Sequence, residues 1–302
     1  KIACVFESVP FADRDGGAVD FILFVDYLLD LGHTVSALFL RGVAPEDSAQ
    51  WRGRGVQCVQ LETDYGLDLM DNAHMIVSFG TMVGIRLAKE DLAHKKWIHH
   101  TSDCATRRLE AMNELFKNQK DVSPEASRWF LGLPRDVPLM WQIEKPILEL
   151  PSTTLFVTPH DLEYAQQNGA SGNFVHFPIL KGGPDSHSVP EPLQELTIGF
   201  VGSFLHSPNP DAVEYFLREM WQNIYQAVPG SRFLIWGSNI NDKQTAQWSK
   251  ILGVEVRGWF ATWDDVVAQT RVLVSPLRFG AGMKHKVVST YIHGRPVVGT
   301  CT

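Results

Sequence analysis

VLVSPLRFGAGMKHKVVSTYIHGRPVVGT, Val272 to Thr300, is the stretch whose reading decides the fold of this chain. VLVS is a short apolar run that reads as a strand, and Gly280-Ala281-Gly282 is a flexible loop. Met283 to Ile292 can form a helix, Gly294 can stop it, and Pro296-Val297-Val298 opens a second strand. Such a loop leaves backbone N–H groups unpaired at a helix N-terminus, where the helix dipole favours anions. Arg278, Lys284 and Lys286 add mobile cations beside those donors, which suits a phosphate or diphosphate. An ordinary strand-to-helix connection with solvated lysines fits the same residues, and the stretch alone leaves both open.

Moving outward, the residues from Leu196 to Val272 repeat the strand–helix rhythm. Leu196-Val201 is a strand, followed by Gly202-Ser203 and a proline-bearing loop. The spacing predicts a long helix from Asn209 to Val228 with Val213, Phe216, Met220, Ile224 and Val228 near one face. Strands follow at Arg232-Trp236 and Val254-Val256, with helices up to Leu252 and over Trp263-Gln269. Before this lobe, Lys181 to Glu195 (KGGPDSHSVPEPLQE) is turn-rich and polar and reads as a linker.

The first part of the chain alternates in the same way. KIACVF (Lys1–Phe6) is a strand, Phe11 to Gly17 a polar loop, Val19 to Leu31 a helix and Thr34 to Leu40 a strand. This is a βαβ unit and implies a parallel sheet. Short apolar strands follow at Val56-Val59, Met75-Phe79 and Trp97-Ile98, with a helix from Met82 to Leu92. A polar helix over Cys104–Lys120, an irregular segment over 121–138 and a helix over Val137–Leu150 come next. The strand Thr154–Thr158, the helix Asp161–Gln167 and the strand Phe174–Phe177 close the unit. The fold expected is α/β, two Rossmann-like lobes facing an interdomain cleft, with domains at 1–181 and 196–302 joined by 182–195. Ligands of such sheets sit at the carboxyl ends of the strands.

Composition narrows the function. The 302 residues are 44% hydrophobic and 20% charged, with a net charge of -7. That gives no global basic field, so nucleic acid is not an expected partner and phosphate recognition should be a local pocket. The four cysteines form no CxxC pair, which points to neither a zinc site nor a disulfide framework. A reducing, cytoplasmic setting fits, and no apolar run approaches the ~20 residues that span a bilayer. Lys1 is not an initiator Met, and the chain stops two residues past Thr300 at the end of a strand. Because a parallel strand normally feeds a further crossover, more of the second lobe is expected beyond the sequence given.

In IGFVGSFLHSPNPDAVEYF (Ile198–Phe216), RFLIWGS (Arg232–Ser238), VEVRGWF (Val254–Phe260) and SPLRFGAGMKHKVVSTYIHGRPVVGT (Ser275–Thr300) the chain resembles a GT-B-fold glycosyltransferase of the large retaining group called family 4. DGGAVDFILFVDYLLDLGHTVS (Asp15–Ser36) and TPHDLEYAQQNGA (Thr158–Ala170) extend the likeness into the first lobe. The resemblance implies transfer of a sugar from a nucleotide diphosphate sugar to a glycan, lipid-linked or other glycoconjugate acceptor, in polysaccharide or glycoconjugate assembly. It implies retention of configuration, no metal and no cofactor beyond the donor itself. Whether the first lobe touches a membrane face is left open.

Site residues follow from both sources. Arg278, Gly280, Gly282, Met283 and Lys284 form the donor-phosphate loop, with Gly202, Ser203 and His206 before the long helix. The resemblance adds Gly16 and Gly17, which otherwise read as a tight turn. His99, His100 and Asp103 are placed just after a strand, facing the cleft, and are candidates for handling the acceptor hydroxyl. Asp103 also reads as an N-cap of the helix that follows. The resemblance places the nucleoside near Trp236, Gly237, Gly258, Trp259 and Phe260, aromatics that fit a core equally well. Ser289 stands where relatives carry a Glu that hydrogen-bonds the ribose, and Phe279 where another acid is common. A Ser makes one such bond and no charge-assisted pair. Two other readings stay open: a non-catalytic sugar-nucleotide-binding or partner subunit, and a nucleotide-sugar epimerase on the same fold.

Overall fold

The computed structural model describes residues 1–10, 16–118, 133–178 and 193–300. Residues 1–178 contain β1 (Ile2–Phe6), α1 (Gly16–Asp30), β2 (Val35–Phe39), α2 (Pro45–Arg52), β3 (Gln57–Gln60), α3 (Asp64–Asp71) and β4 (Met75–Phe79). They continue through α4 (Thr81–Leu87), β5 (Lys96–Thr101), α5 (Ala105–Asn118), α6 (Val137–Glu149), β6 (Thr153–Phe156), α7 (Pro159–Gln167) and β7 (Phe174–His176). The seven strands form one sheet in the order β3-β2-β1-β4-β5-β6-β7. Every pairing is parallel.

The second lobe comprises β8 (Thr197–Val201), α8 (Pro208–Phe216), a π turn (Leu217–Trp221), α9 (Gln222–Ala227), β9 (Arg232–Trp236) and α10 (Asp242–Trp248). After these come β10 (Val254–Gly258), α11 (Trp263–Val267), β11 (Val272–Ser275), α12 (His285–Ile292) and β12 (Val297–Gly299). Its parallel sheet runs β10-β9-β8-β11-β12. The strand order reverses between β1 and β4 and between β8 and β11, and in sheets of this kind ligands bind outside the carboxyl ends at such switch points.

Both faces of each sheet are covered, which explains strands as uniformly apolar as IACVF. In the first lobe Phe21, Phe39, Trp51 and Phe79 pack one face, and Leu38, Ile76, Leu87 and Trp97 the other. In the second, Phe200, Phe216, Trp221, Phe233 and Trp248 pack one face and Leu234, Trp236 and Leu273 the other. Each such side chain contributes about 1.5–3 kcal/mol by leaving water. No helix among the described residues is long and apolar enough to cross a membrane.

Several boundaries differ from expectation for physical reasons. The helix expected over Asn209–Val228 contains the π turn, whose extra residue rotates the apolar face. Leu217 and Trp221 are buried, while Met220 and Ile224 are only partly covered and Val228 is exposed. The Trp221 indole N–H is anchored to the Leu252 carbonyl at 3.0 Å. α4 stops at Leu87 rather than Leu92, and β5 runs to Thr101 rather than Ile98. Most of the stretch read as a linker, and most of the Phe11–Gly17 loop, lie outside the described residues.

Candidate functional site at the lobe junction

The glycine loop after β11 is gripped by the first lobe. Gly282 has φ +67°, and a Cβ there would lie 2.5 Å from the Ser102 carbonyl oxygen and 2.9 Å from Asp103 Cβ. Only glycine meets both demands. The Gly282 amide donates to Asp161 Oδ2 at 2.9 Å. Asp161, wholly buried in the first turn of α7, also accepts from Thr158 Oγ1 at 2.9 Å and Arg107 at 2.8 Å. Directly before the loop, Phe279 is buried among Ala105, Leu109, Met112 and Met140, with its ring 6.2 Å from that of Phe116. A small apolar core thus spans the two lobes.

The loop's cations behave differently from one another. Arg278, expected to be mobile, is held in a buried two-pronged pair with Asp211 of α8 and lies over the Tyr215 ring. Its charge is neutralised there, which corrects the expectation that it is a mobile cation. α12 begins at His285, so Met283 belongs to the loop, and Lys284 is the N-cap with no side-chain capping bond. Lys284 Nζ reaches the Gly282 carbonyl at 3.3 Å, beside Gly280. Lys286 is not solvated either: its ammonium donates to Asn209 Oδ1 at 2.6 Å and sits 4.1 Å from the centre of the Phe200 ring. Asn209 in turn donates to the Ser203 carbonyl at 2.8 Å and fills the space where a Cβ on Gly202 would stand.

These groups share one electrostatic environment. Burial, then the nearby Lys284, lowers Lys286 to about 7. Burial also lowers Lys284, with Asp161 opposing and Arg107 and Arg108 adding to the shift. His206 is pushed well below the usual imidazole range by burial and then by Arg108, Lys286 and Lys284. Cations brought together around the starts of α8 and α12 disfavour their own charge, and an anion among them would reverse that.

The acceptor-side candidates separate. His99, His100 and Thr101 lie within β5 and are buried, not in a loop beyond it. His99 Nδ1 is 2.8 Å from Ser78 Oγ, to which the Trp97 indole also donates at 2.7 Å. Burial and then His100 lower His99 to about 3. It is a neutral core residue, and its expected exposure to the cleft is corrected. Asp103 is ion-paired to Arg108 rather than capping α5. That cap comes from Glu144 of α6, whose carboxylate accepts from the Ala105 and Thr106 amides at 2.7 and 2.8 Å. His100 faces the lobe junction, near Asp20 of α1 and His285 of α12. Gly16 and Gly17 form the start of α1, one turn before Asp20.

On the nucleoside side, Trp236 is buried, with Arg257 5.9 Å over its ring and Phe260 edge-on at 6.4 Å. Gly237 donates its amide to the Gly258 carbonyl at 2.7 Å, tying the ends of β9 and β10 together. Trp259 is 55% exposed beyond β10, and Ser289 is fully buried on α12.

Asp20, Asp161, Asn209, Asp211 and His285 were not singled out from the sequence. Only His285 carried a signal, its place between two lysines. The others are brought in by the packing of one lobe on the other or of α8 on the loop.

The sequence pattern of the family described as glycosyl transferases group 1 matches residues 195–302, the second lobe. No curated protein sequence matches the chain. Among solved structures, it is similar to WaaG, a glycosyltransferase involved in lipopolysaccharide biosynthesis, at 14% identity and TM-score 0.62, covering 99% of this chain and 80% of that one. It is also similar to HepE from Anabaena in complex with UDP-glucose, at 12% identity and TM-score 0.64, covering 99% and 79%. TarM matches over 74% of this chain and 40% of its own, at 13% identity and TM-score 0.54. At these identities the likeness establishes the fold, and the chain has the GT-B architecture.

Proposed function

We propose that this chain transfers a sugar from a nucleotide diphosphate sugar to a hydroxyl of a glycan or glycoconjugate acceptor. The observation that carries the reading is the convergence of Lys284, Lys286 and His206 around the starts of α8 and α12, where burial and then neighbouring cations depress their proton affinity. An anion of more than one charge relieves that repulsion, and a diphosphate brings several acceptor oxygens to the same place. In glycosyl transfer, negative charge grows on the departing diphosphate, so fixed cations and helix N-termini there lower the barrier directly. They supply the neutralisation that a divalent ion would otherwise give, and the reaction proceeds without a metal. The glycosyltransferase neighbours support the same activity, and retention at the anomeric carbon rests on the resemblance alone.

Screening UDP-, GDP- and dTDP-sugars by thermal shift tests the donor class, since a donor at 100 times its Kd adds about 2.7 kcal/mol of stability. Turnover by the wild type and by Lys284→Ala then tests catalysis. A wild type that binds a nucleotide sugar but turns none over defeats the enzyme reading and selects a binding subunit. Formation of a 2-epimer without acceptor selects an epimerase instead.

A further inference from the structure

Besides the cation cluster, the lobe junction holds a second polar group. Among the described residues, Asp20 Oδ1 on α1, His100 Nδ1 on β5 and His285 Nδ1 on α12 are buried without a hydrogen-bond partner. Buried polar atoms are nearly always satisfied, and each exception costs about 1–3 kcal/mol, so several in one place call for a function. The other Asp20 oxygen, Oδ2, lies 3.2 Å from His285 Nε2 and joins the first lobe to the second. His100 belongs to the same group. Burial lowers it to about 4, the Asp20 charge opposes that shift, and His285 adds to it. Its ring is held between Phe79 and Phe177, with centroids at 5.0 and 6.3 Å. His100 is therefore a neutral imidazole near pH 7. The three side chains do not form a metal-ligand cluster. Their chemistry is that of a site for a hydroxyl, which brings one donor and lone pairs to accept.

Resting on the glycosyl-transfer reading above, we propose that Asp20 and His285 form a carboxylate–imidazole dyad in which His285 Nδ1 takes the proton of the acceptor's nucleophilic hydroxyl. His285 Nε2 lies 3.2 Å from Asp20 Oδ2, so the tautomer that carries its proton on Nε2 faces the carboxylate and leaves the Nδ1 lone pair as the acceptor. The hydroxyl oxygen forms a bond to the anomeric carbon, and the bond from that carbon to the diphosphate oxygen breaks with its electron pair on the diphosphate. The hydroxyl proton moves to His285 Nδ1, where Asp20 balances the imidazolium against Lys284 and Lys286. His100 Nδ1 and Asp20 Oδ1 hold the sugar that carries the hydroxyl. Retention of configuration requires that the hydroxyl reach the anomeric carbon on the leaving-group face, beside the helix start that carries Lys284. His285 is the catalytic residue of the dyad, and Asp20 positions it.

Two measurements on the full chain test this. Histidine ¹⁵N–¹H correlation spectra should show the Nε2–H tautomer of His285 in the wild type, with that preference lost in Asp20→Asn. Turnover of the UDP-, GDP- and dTDP-sugar panel should fall about 10²–10⁴-fold in His285→Gln and Asp20→Asn, while the Kd for UDP changes less than about threefold. An Nδ1–H tautomer, wild-type turnover in His285→Gln, or an inverted product overturns the dyad. Loss of UDP binding in parallel with turnover overturns it too, because His285 is then only a clamp between lobes. In each of those cases an active wild type leaves the glycosyl-transfer reading intact. An inactive wild type that binds UDP defeats both.

Discussion

Helices α5 and α12 start in equivalent places, each following a strand end at the lobe junction, yet their first turns meet opposite charges. At α5 the buried carboxylate of Glu144 accepts from the Ala105 and Thr106 amides, from the Thr106 hydroxyl and from the Cys104 thiol at 3.3 Å. The positive end of that helix dipole is satisfied from within the first lobe. At α12 the N-cap is Lys284, no side chain caps the amides, and Lys286 lies two residues on. Cations at a helix N-terminus oppose the dipole, and both lysines have lowered proton affinity. One helix start is completed by the protein's own anion. The other is arranged so that an anion from outside completes it, which is the physical difference between a structural cap and a ligand site.

The largest effect that tests this contrast is on stability. Glu144→Ala leaves two amides and a hydroxyl buried without their acceptor and should lower unfolding free energy by about 3 kcal/mol. Urea denaturation measures it, and a loss under about 1 kcal/mol would mean that α5 tolerates an uncapped start, ending the contrast. Lys284→Met should act the other way round. Affinity for UDP-glucose, used as the probe, should fall about 100-fold, near 2.7 kcal/mol, while the free protein gains a few tenths of a kcal/mol from relief at the helix terminus. Calorimetric titration paired with denaturation reads both, and a free protein destabilised as much as its binding is weakened would show Lys284 to be a structural residue. Smaller again, Asp161→Asn keeps one carbonyl for the Gly282 amide but removes the charge facing Arg107, and should cost about 1–2 kcal/mol of stability. Unchanged stability would indicate that the loop is held by Phe279 and its apolar neighbours alone.

The sequence made the fold legible because buried parallel strands and their glycine stops are local signals. β4, β9 and β11 fall where the apolar runs place them. The π turn had no local signature: Asn209 to Val228 is compatible with an unbroken helix, and the burial of Trp221 against Leu252 decides otherwise. The site was half legible. Gly282, Lys284 and His100 are local to strand ends and could be named, whereas Arg278 was read as mobile because its partner Asp211 lies 67 positions away. Asp20 and Asp161 were invisible for the same reason, since their roles exist only once the second lobe packs on the first.

The smallest predicted effect follows from the α12 lysines and depends on pH. Lys286 loses its proton around 7 in the free protein because it is buried beside Lys284. A bound diphosphate favours the ammonium, so it raises that pKa, and binding takes up a proton wherever the free side chain is neutral. Affinity is therefore fully present below pH 7 and falls as pH rises above it. With the free pKa near 7, the protonated fraction drops about fivefold between pH 7 and 8, equivalent to about 1 kcal/mol of binding. UDP-glucose is the suitable probe because its diphosphate keeps a constant charge over this range. Titration calorimetry at pH 8 in two buffers of different ionisation enthalpy should report uptake approaching one proton in the wild type, and uptake near zero in Lys286→Met. If the wild type binds without proton uptake and with pH-independent affinity, Lys286 stays charged beside Asn209 and Phe200 throughout. The strain assigned to the start of α12 would then rest on Lys284 alone.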